Sequence, residues 1–210
     1  MYQFGRVLTL TGDARETMAW ATEITGMVND LTDLDVSLWG ATFGYPVGTV
    51  AWSAIVEGRA QLASETAKLT TNNDYLDAVM KAQDWVNTPA QDIFRSIVHG
   101  GPGDEPPAVG AVAGVTQAVA ATGKLPEAVG WATDMATHAS SVTGVQVSLL
   151  VNAYTDFGGM AFISTMPDMA AADAAADAIA ADASYMEKIG ASAGLFVDGS
   201  AHQSLLQRLA

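Results

Sequence analysis

Residues 11–23 read TGDARETMAWATE, and residues 122–134 read TGKLPEAVGWATD. Thr, Gly, Glu, Trp, Ala and Thr coincide at a constant offset of 111, six identities in thirteen positions, with Glu23 facing Asp134. The register continues outward. Val36-Ser37-Leu38 meets Val147-Ser148-Leu149 at the same offset. One residue is then lost from the second copy. Gly48 meets Gly158, Ala51 meets Ala161, Trp52 meets Phe162 and Tyr75 meets Tyr185 at an offset of 110. The ends match in character, IFRSIV at 93–98 against LLQRLA at 205–210. Self-similarity at one spacing over such a span marks a duplicated unit. Between the copies lies HGGPGDEPPAVG, residues 99–110, with three prolines and four glycines. Neither a helix nor a central strand accommodates such a segment. The chain therefore divides into a first repeat over 1–100, a Pro/Gly linker over 101–109 and a second repeat over 110–210.

Each copy reads as the same order of elements. In the first, FGRVLTLT at 4–11 alternates and carries β-formers. Asp13 stands as helix N-cap with Glu16 three residues later. Met18, Trp20, Ile24, Met27, Val28 and Leu31 then recur at helical spacing. Strands at 36–43 and 48–56 flank the turn Gly44-Tyr45-Pro46, and 58–81 reads helical with a break near Thr71-Asn72-Asn73. A short strand is expected around Asp84 to Val86, and a terminal helix over 90–98. The second copy gives a strand inside 110–121, a helix over 125–142, strands at 145–154 and 159–166, and a helix over 168–190. LFVD at 195–198 is expected as its fourth strand, with LLQRL as a last helical turn. Asp168, Asp173, Asp177 and Asp182 on the Ala-rich helix read as a solvated face.

The order β-α-β-β-α-β is that of a ferredoxin-like unit. Such a sheet has helices on one face and leaves the other open. In strand 36–43 the open face would carry Trp39 and Phe43, a larger apolar patch than soluble monomers leave exposed. The expected fold is therefore α+β: two ferredoxin-like β-α-β-β-α-β repeats packed sheet to sheet as a pseudo-symmetric α/β barrel. In element order and duplication the chain resembles the dimeric α/β-barrel superfamily in its fused tandem form. That group includes antibiotic-biosynthesis-type monooxygenases, NIPSNAP-like proteins, haem-degrading monooxygenases and chlorite dismutase-like proteins. The resemblance implies binding of a small aromatic or polyketide-like molecule, or of haem. It also implies strand edges that pair between chains, hence a homo-oligomer.

Composition excludes several functions. Half of the 210 residues are apolar, enough for a large core. Nine Lys and Arg against 23 Asp and Glu give a net charge of −14, the wrong sign for nucleic acid or an anionic membrane surface. There are no cysteines, hence no disulfide, zinc-thiolate site or thiol nucleophile. No secretory signal pattern stands at the N-terminus, and the longest apolar tract, residues 108–121, is too short to span a bilayer. A cytoplasmic protein is expected. No nucleotide loop, GxSxG, HExxH or EF-hand pattern occurs, and no cofactor or metal is assigned.

The two copies serve as a control on each other. Where one keeps an apolar residue and the other a polar one, function has a place to act. His138 replaces Met27, Asn152 replaces Ala41, Tyr154 replaces Phe43 and Ser164 replaces Ala54. His138, Asn152 and Tyr154 are the catalytic candidates: a buried imidazole could serve as general base, orienting group or haem ligand. The stronger reading of each is a hydrogen-bonded structural residue. Trp39, Phe43, Trp52 and Ser164 are the ligand-binding candidates, an aromatic wall whose alternative role is core packing. Trp20 and Trp131 look structural. Three functions remain open: a small apolar or aromatic ligand, with cofactor-independent monooxygenase-like chemistry; a non-catalytic module with a packed interior; and haem held by His138 or His202.

Overall fold

The computed structural model describes residues 1–86, 88–103 and 106–210; Asp104 and Glu105 of the predicted linker lie outside them. The first repeat runs β1 (Tyr2–Thr9), α1 (Ala14–Leu31), β2 (Ser37–Phe43), β3 (Thr49–Val56), α2 (Arg59–Thr70), α3 (Asn73–Met80) and β4 (Gln91–His99). The second runs β5 (Val112–Val119), α4 (Leu125–Thr143), β6 (Val147–Asn152), β7 (Gly159–Met166), α5 (Met169–Ala181), α6 (Ala183–Gly190) and β8 (His202–Arg208). The eight strands close into one antiparallel barrel in the order β1-β3-β2-β8-β5-β7-β6-β4.

The helix boundaries follow from local chemistry. Asp13 caps α1, its carboxylate accepting from the backbone N–H of Arg15 at 2.8 Å and of Glu16 at 3.2 Å. Asp13→Ala is expected to cost about 1 kcal/mol, seen as a fall of roughly 2–4 °C in Tm by calorimetry. Asn72 ends the long helical stretch of the first copy by capping α3 through Tyr75 N–H. Asp182 does the same for α6 through Tyr185 N–H, which splits the helix expected over 168–190 into two. Asp168 caps α5, leaving Asp173 and Asp177 exposed.

Four expectations are corrected. Residues 90–98 are not a helix but β4, and LLQRL is not a helical turn but falls on β8. These two, in place of the segments expected near 84–86 and at 195–198, are the fourth strands of their copies. Phe196 makes only an isolated bridge to Ala120, as Val86 does to Leu10. Both misread segments are too short to hold a helix alone, and the ladder on both sides decides their state. β4 pairs with β1 of its own repeat and β6 of the other. β8 pairs with β5 and with β2. These strands form the two seams, so the sheets do not merely face each other; they are hydrogen-bonded into a closed surface. Among the described residues the barrel leaves no free sheet edge for pairing between chains. At the β2–β8 seam, Gly44 (φ 84°) lets the hairpin lie against β8, where a Cβ would collide with the Gln203 carbonyl.

The helices pack on the outside of the barrel. Trp20, Ile24 and Val28 of α1 bury against Leu38, Val50 and Trp52. Trp20 meets Trp52 edge-on at 6.1 Å, and its Nε1–H donates to the Ala78 carbonyl of α3 at 2.8 Å. The second repeat repeats the device: Trp131 meets Phe162 edge-on at 6.3 Å and donates to the Lys188 carbonyl of α6 at 2.9 Å. Its core is otherwise built on alanines, Ala128, Ala132, Ala136 and Ala139, against Leu149 and Met160. Among the described residues no helix is long and apolar enough to cross a membrane.

Candidate functional site

Alternation along the strands sends one side chain to the helices and the next into the barrel. An eight-stranded barrel is just wide enough for inward side chains to fill. Here Gly5, Ser37, Ala51, Ser53, Ala113 and Ser148 are too small to do so. They border a cavity of about 620 Å³, within the range of about 300–1,000 Å³ usual for small-ligand sites. The interior is therefore not filled by packing. The linker crosses one end, where Gly101, Pro102, Gly103, Pro106 and Pro107 contribute to the lining.

One wall is aromatic. Trp39 of β2 packs inside the barrel with Ala113 and Leu206, and with Tyr45, Ala51 and Val115 partly buried around it. Its Nε1–H donates to Ser53 Oγ at 2.9 Å. The other wall carries Arg95 of β4, only 5% exposed. Its Nε–H donates to Asn152 Oδ1 at 2.9 Å and its Nη2–H to Gln117 Oε1. Gln117 Nε2–H in turn donates to Tyr45 Oη at 3.3 Å. Among the described residues the ion pairs all involve other cations, so each side-chain partner of Arg95 is neutral. Burial pulls the guanidinium pKa below its ordinary value, with Tyr45 opposing; arginine titrates so high that the group stays charged.

Asn152 holds this geometry from behind. Its Nδ2–H donates to Thr155 Oγ1 at 3.1 Å, which turns its carbonyl oxygen toward Arg95. Thr155 sits at φ 76°, among the described residues the one non-glycine at positive φ. A β-branched residue pays for that conformation in strain, and such strain collects where a site needs it.

The pseudo-two-fold relation shows how local the polar set is. Arg95 stands opposite Asn152 in the β4–β6 ladder, and Leu206 stands opposite Ala41 in the β8–β2 ladder. Gln117 pairs with Ala161 as Val7 pairs with Ala51, through Ala118 and Leu8 registers one step on. Arg95, Asn152 and Gln117 thus answer to Leu206, Ala41 and Val7. At these three positions one copy is polar and charged and the other apolar.

The residues singled out from the sequence are scattered. Trp39 lines the cavity. Asn152 supports the lining from the second row. Trp52 borders the cavity, but its indole turns outward and donates to Thr25 Oγ1 at 2.9 Å, because alternation places Ala51 and Ser53 inward instead. Ser164 likewise turns outward between Ile163 and Thr165, which line the cavity. Phe43 is 66% exposed at the end of β2. Tyr154 is 57% exposed on the outer surface, accepting from Arg59 Nε–H at 2.7 Å. His138 lies in the outer helical layer, stacked on Tyr185, with Nε2 3.3 Å from Asp182 Oδ1 and 3.1 Å from Ser184 Oγ. Both partners meet the same ring nitrogen, so the trio is not a nucleophile–base–acid relay. The Ser184 hydroxyl and Tyr185 N–H, and then His138, hold the Asp182 carboxyl below its ordinary pKa. His138, Asn152 and Tyr154 therefore do not form one constellation.

No histidine is among the lining residues, and among the described residues no three His, Asp or Glu side chains cluster as metal ligands would. His202 is exposed on β8. The donor set of the interior therefore does not fit axial ligation of haem by a histidine. Arg95, Gln117 and Tyr45 were missed by sequence reasoning. Reading 93–98 as a strand would have set IFRSIV against SLLQRL at 204–209, and Arg95 against Leu206.

No protein-family model matches the chain, and no curated protein matches it in sequence. Its fold is shared end to end with solved structures. A candidate monooxygenase from Fusobacterium nucleatum is 10% identical with a TM-score of 0.76, the match covering 100% of this chain and 92% of that one. An anthrone oxidase-like protein is 12% identical with a TM-score of 0.71, over 100% and 91%. A candidate monooxygenase from Lactobacillus acidophilus is 13% identical with a TM-score of 0.65, over 99% and 93%. At such identities the likeness is one of fold: this chain has the dimeric α/β-barrel fold, its two ferredoxin-like repeats fused in tandem.

Proposed function

We propose that the barrel interior takes up one small, largely apolar molecule. The observation that carries this reading is an unfilled cavity of about 620 Å³ with one aromatic wall and a single buried cation. A module that served only as a scaffold gains nothing from small inward residues that leave its centre empty, since unfilled volume is destabilising. The polar seam has an apolar counterpart, which supports one ligand per chain rather than two. Oxidation of that molecule in the manner of a cofactor-independent monooxygenase is supported by the end-to-end likeness in fold to the anthrone oxidase-like protein and the two candidate monooxygenases. Fold likeness alone is a weak warrant for a reaction, so binding comes first.

Calorimetric titration with a panel of naphthalene and anthrone derivatives tests it. Binding of at least one member at 1:1 stoichiometry is expected. Ser53→Phe, which puts bulk inside beside Trp39, should abolish it while the thermal transition survives. Binding that persists in Ser53→Phe would place the ligand outside the barrel and end the proposal. Oxygen uptake with anthrone then reads the catalytic part. The anthrone methylene becomes a carbonyl, one oxygen atom of O₂ entering it and the other leaving as water.

A further inference from the structure

We infer that the molecule held in the barrel carries one anionic oxygen on its apolar body, and that Arg95 seats that oxygen at the polar seam. The inference rests on the reading of the cavity as a ligand site and adds the ligand's charge class.

Three observations converge on it. Arg95 borders the cavity and is nearly fully buried. A guanidinium has five N–H donors, and the side-chain bonds to Asn152 and Gln117 occupy two of them. Among the described residues no other side-chain acceptor meets the remainder, which can take an acceptor arriving from the cavity. Among the described residues Arg95 forms no ion pair and has neutral side-chain partners only, and a charge-assisted bond to an anion supplies a counter-charge.

The second observation is the counterpart. Leu206, Ala41 and Val7 occupy the equivalent positions across the pseudo-two-fold axis. The barrel therefore closes with no cation at this place. All three members of the polar set differ from their counterparts together, as a group serving one task would. The third is the rest of the lining. Among the described lining residues Arg95 is the sole cation and Asp35, just ahead of β2, the sole acid. Across the cavity stand Trp39 and Leu206, an apolar surface against which the body of the molecule can lie.

A carboxylate and a phenolate or enolate present the same anionic oxygen, and paired probes separate them. Wild-type protein is titrated at neutral pH with 2-naphthoate against 2-naphthamide and with octanoate against octanamide. Separately, 2-naphthol is followed by its naphtholate absorbance. Expected is a preference of about 10–100-fold for at least one carboxylate over its amide, or ionisation of bound 2-naphthol at a pH where the free phenol is neutral. The first result assigns a carboxylate and the second a phenolate. In Arg95→Leu the preference should disappear, the acid losing about 10–100-fold more affinity than its amide. Should Arg95→Leu fail to fold, Arg95→Leu/Asn152→Ala/Gln117→Val, built on the counterpart seam, replaces it.

Equal binding of acids and amides by wild type, with 2-naphthol bound neutral, overturns the anionic class and leaves the cavity reading standing. An anion preference that survives in the variant overturns the role of Arg95. No binding of any probe overturns the cavity reading, and the inference with it.

Discussion

The variant Arg95→Leu/Asn152→Ala/Gln117→Val is expected to be more stable than the single variant Arg95→Leu, and at least as stable as the wild type. The single change leaves the Asn152 and Gln117 carbonyl oxygens without the donor they meet in the barrel. Each buried group left unpaired costs about 1–3 kcal/mol. The triple change removes those groups along with the charge. It also copies a solution the chain already uses, since Leu206, Ala41 and Val7 fill the equivalent places. Replacing buried charge by well-packed apolar side chains is commonly neutral or stabilising by about 1–4 kcal/mol. At this chain length each kcal/mol moves Tm by roughly 2–4 °C. Urea unfolding of the wild type, single and triple variants reads the order directly. A triple variant less stable than the single one would mean that the polar set is structural. The changes must be compared together, because neighbours in one hydrogen-bond network do not add. A gain in stability with loss of ligand would show that the barrel tolerates an unfavourable charge for the sake of binding.

The second large effect is expected at Trp20. Trp20→Ala should lower stability by about 3–5 kcal/mol, or roughly 6–20 °C in Tm. Trp20 is 6% exposed and lies between Trp52 and Trp85, with ring centroids at 6.1 and 6.3 Å. Its loss opens a void at the centre of the larger outer core and removes the bond that ties α1 to α3. Trp20→Phe keeps most of the volume and loses the bond, so a cost nearer 1 kcal/mol is expected. Trp131→Ala should cost less than Trp20→Ala, because Trp131 is only half-buried while Trp20 is 6% exposed. Equal losses at Trp20 and Trp131 would contradict the packing described for the two repeats.

The duplication made the architecture legible. An offset near 111 carries Trp20 onto Trp131, and the structure gives both an equivalent hydrogen bond, to α3 in the first repeat and to α6 in the second. The hairpins and the cap at Asp13 were equally readable, because they depend on local chemistry. The seams were not. IFRSIV and SLLQRL carry no turn signal and are too short for a period to declare itself; their state is set by strands far away in the chain. That one error hid the polar set around Arg95. With 90–98 taken as a helix, the tails were laid at a one-residue slip, and a slip of one exchanges inward and outward faces along a strand. Arg95 was then compared with Gln207, polar with polar, and passed unnoticed. Asn152 was found because its own strand was read correctly. His138 and Tyr154 were misleading for the opposite reason. Both are genuine polar replacements, but they serve helix packing and an outer-surface contact with Arg59.

Because β8 alone joins β5 to β2, the wall stays split open along its length until that strand emerges from the ribosome. Until β8 is in place, Trp39 and Leu150 line an uncovered trough. Domains usually fold in order of emergence, and here the earlier half cannot finish ahead of the later one. Contacts between β2 and β8 are also among the most distant in the chain, a topology that slows closure. A closed interior therefore arrives in one step, with the pairing of β8 to β2 and β5.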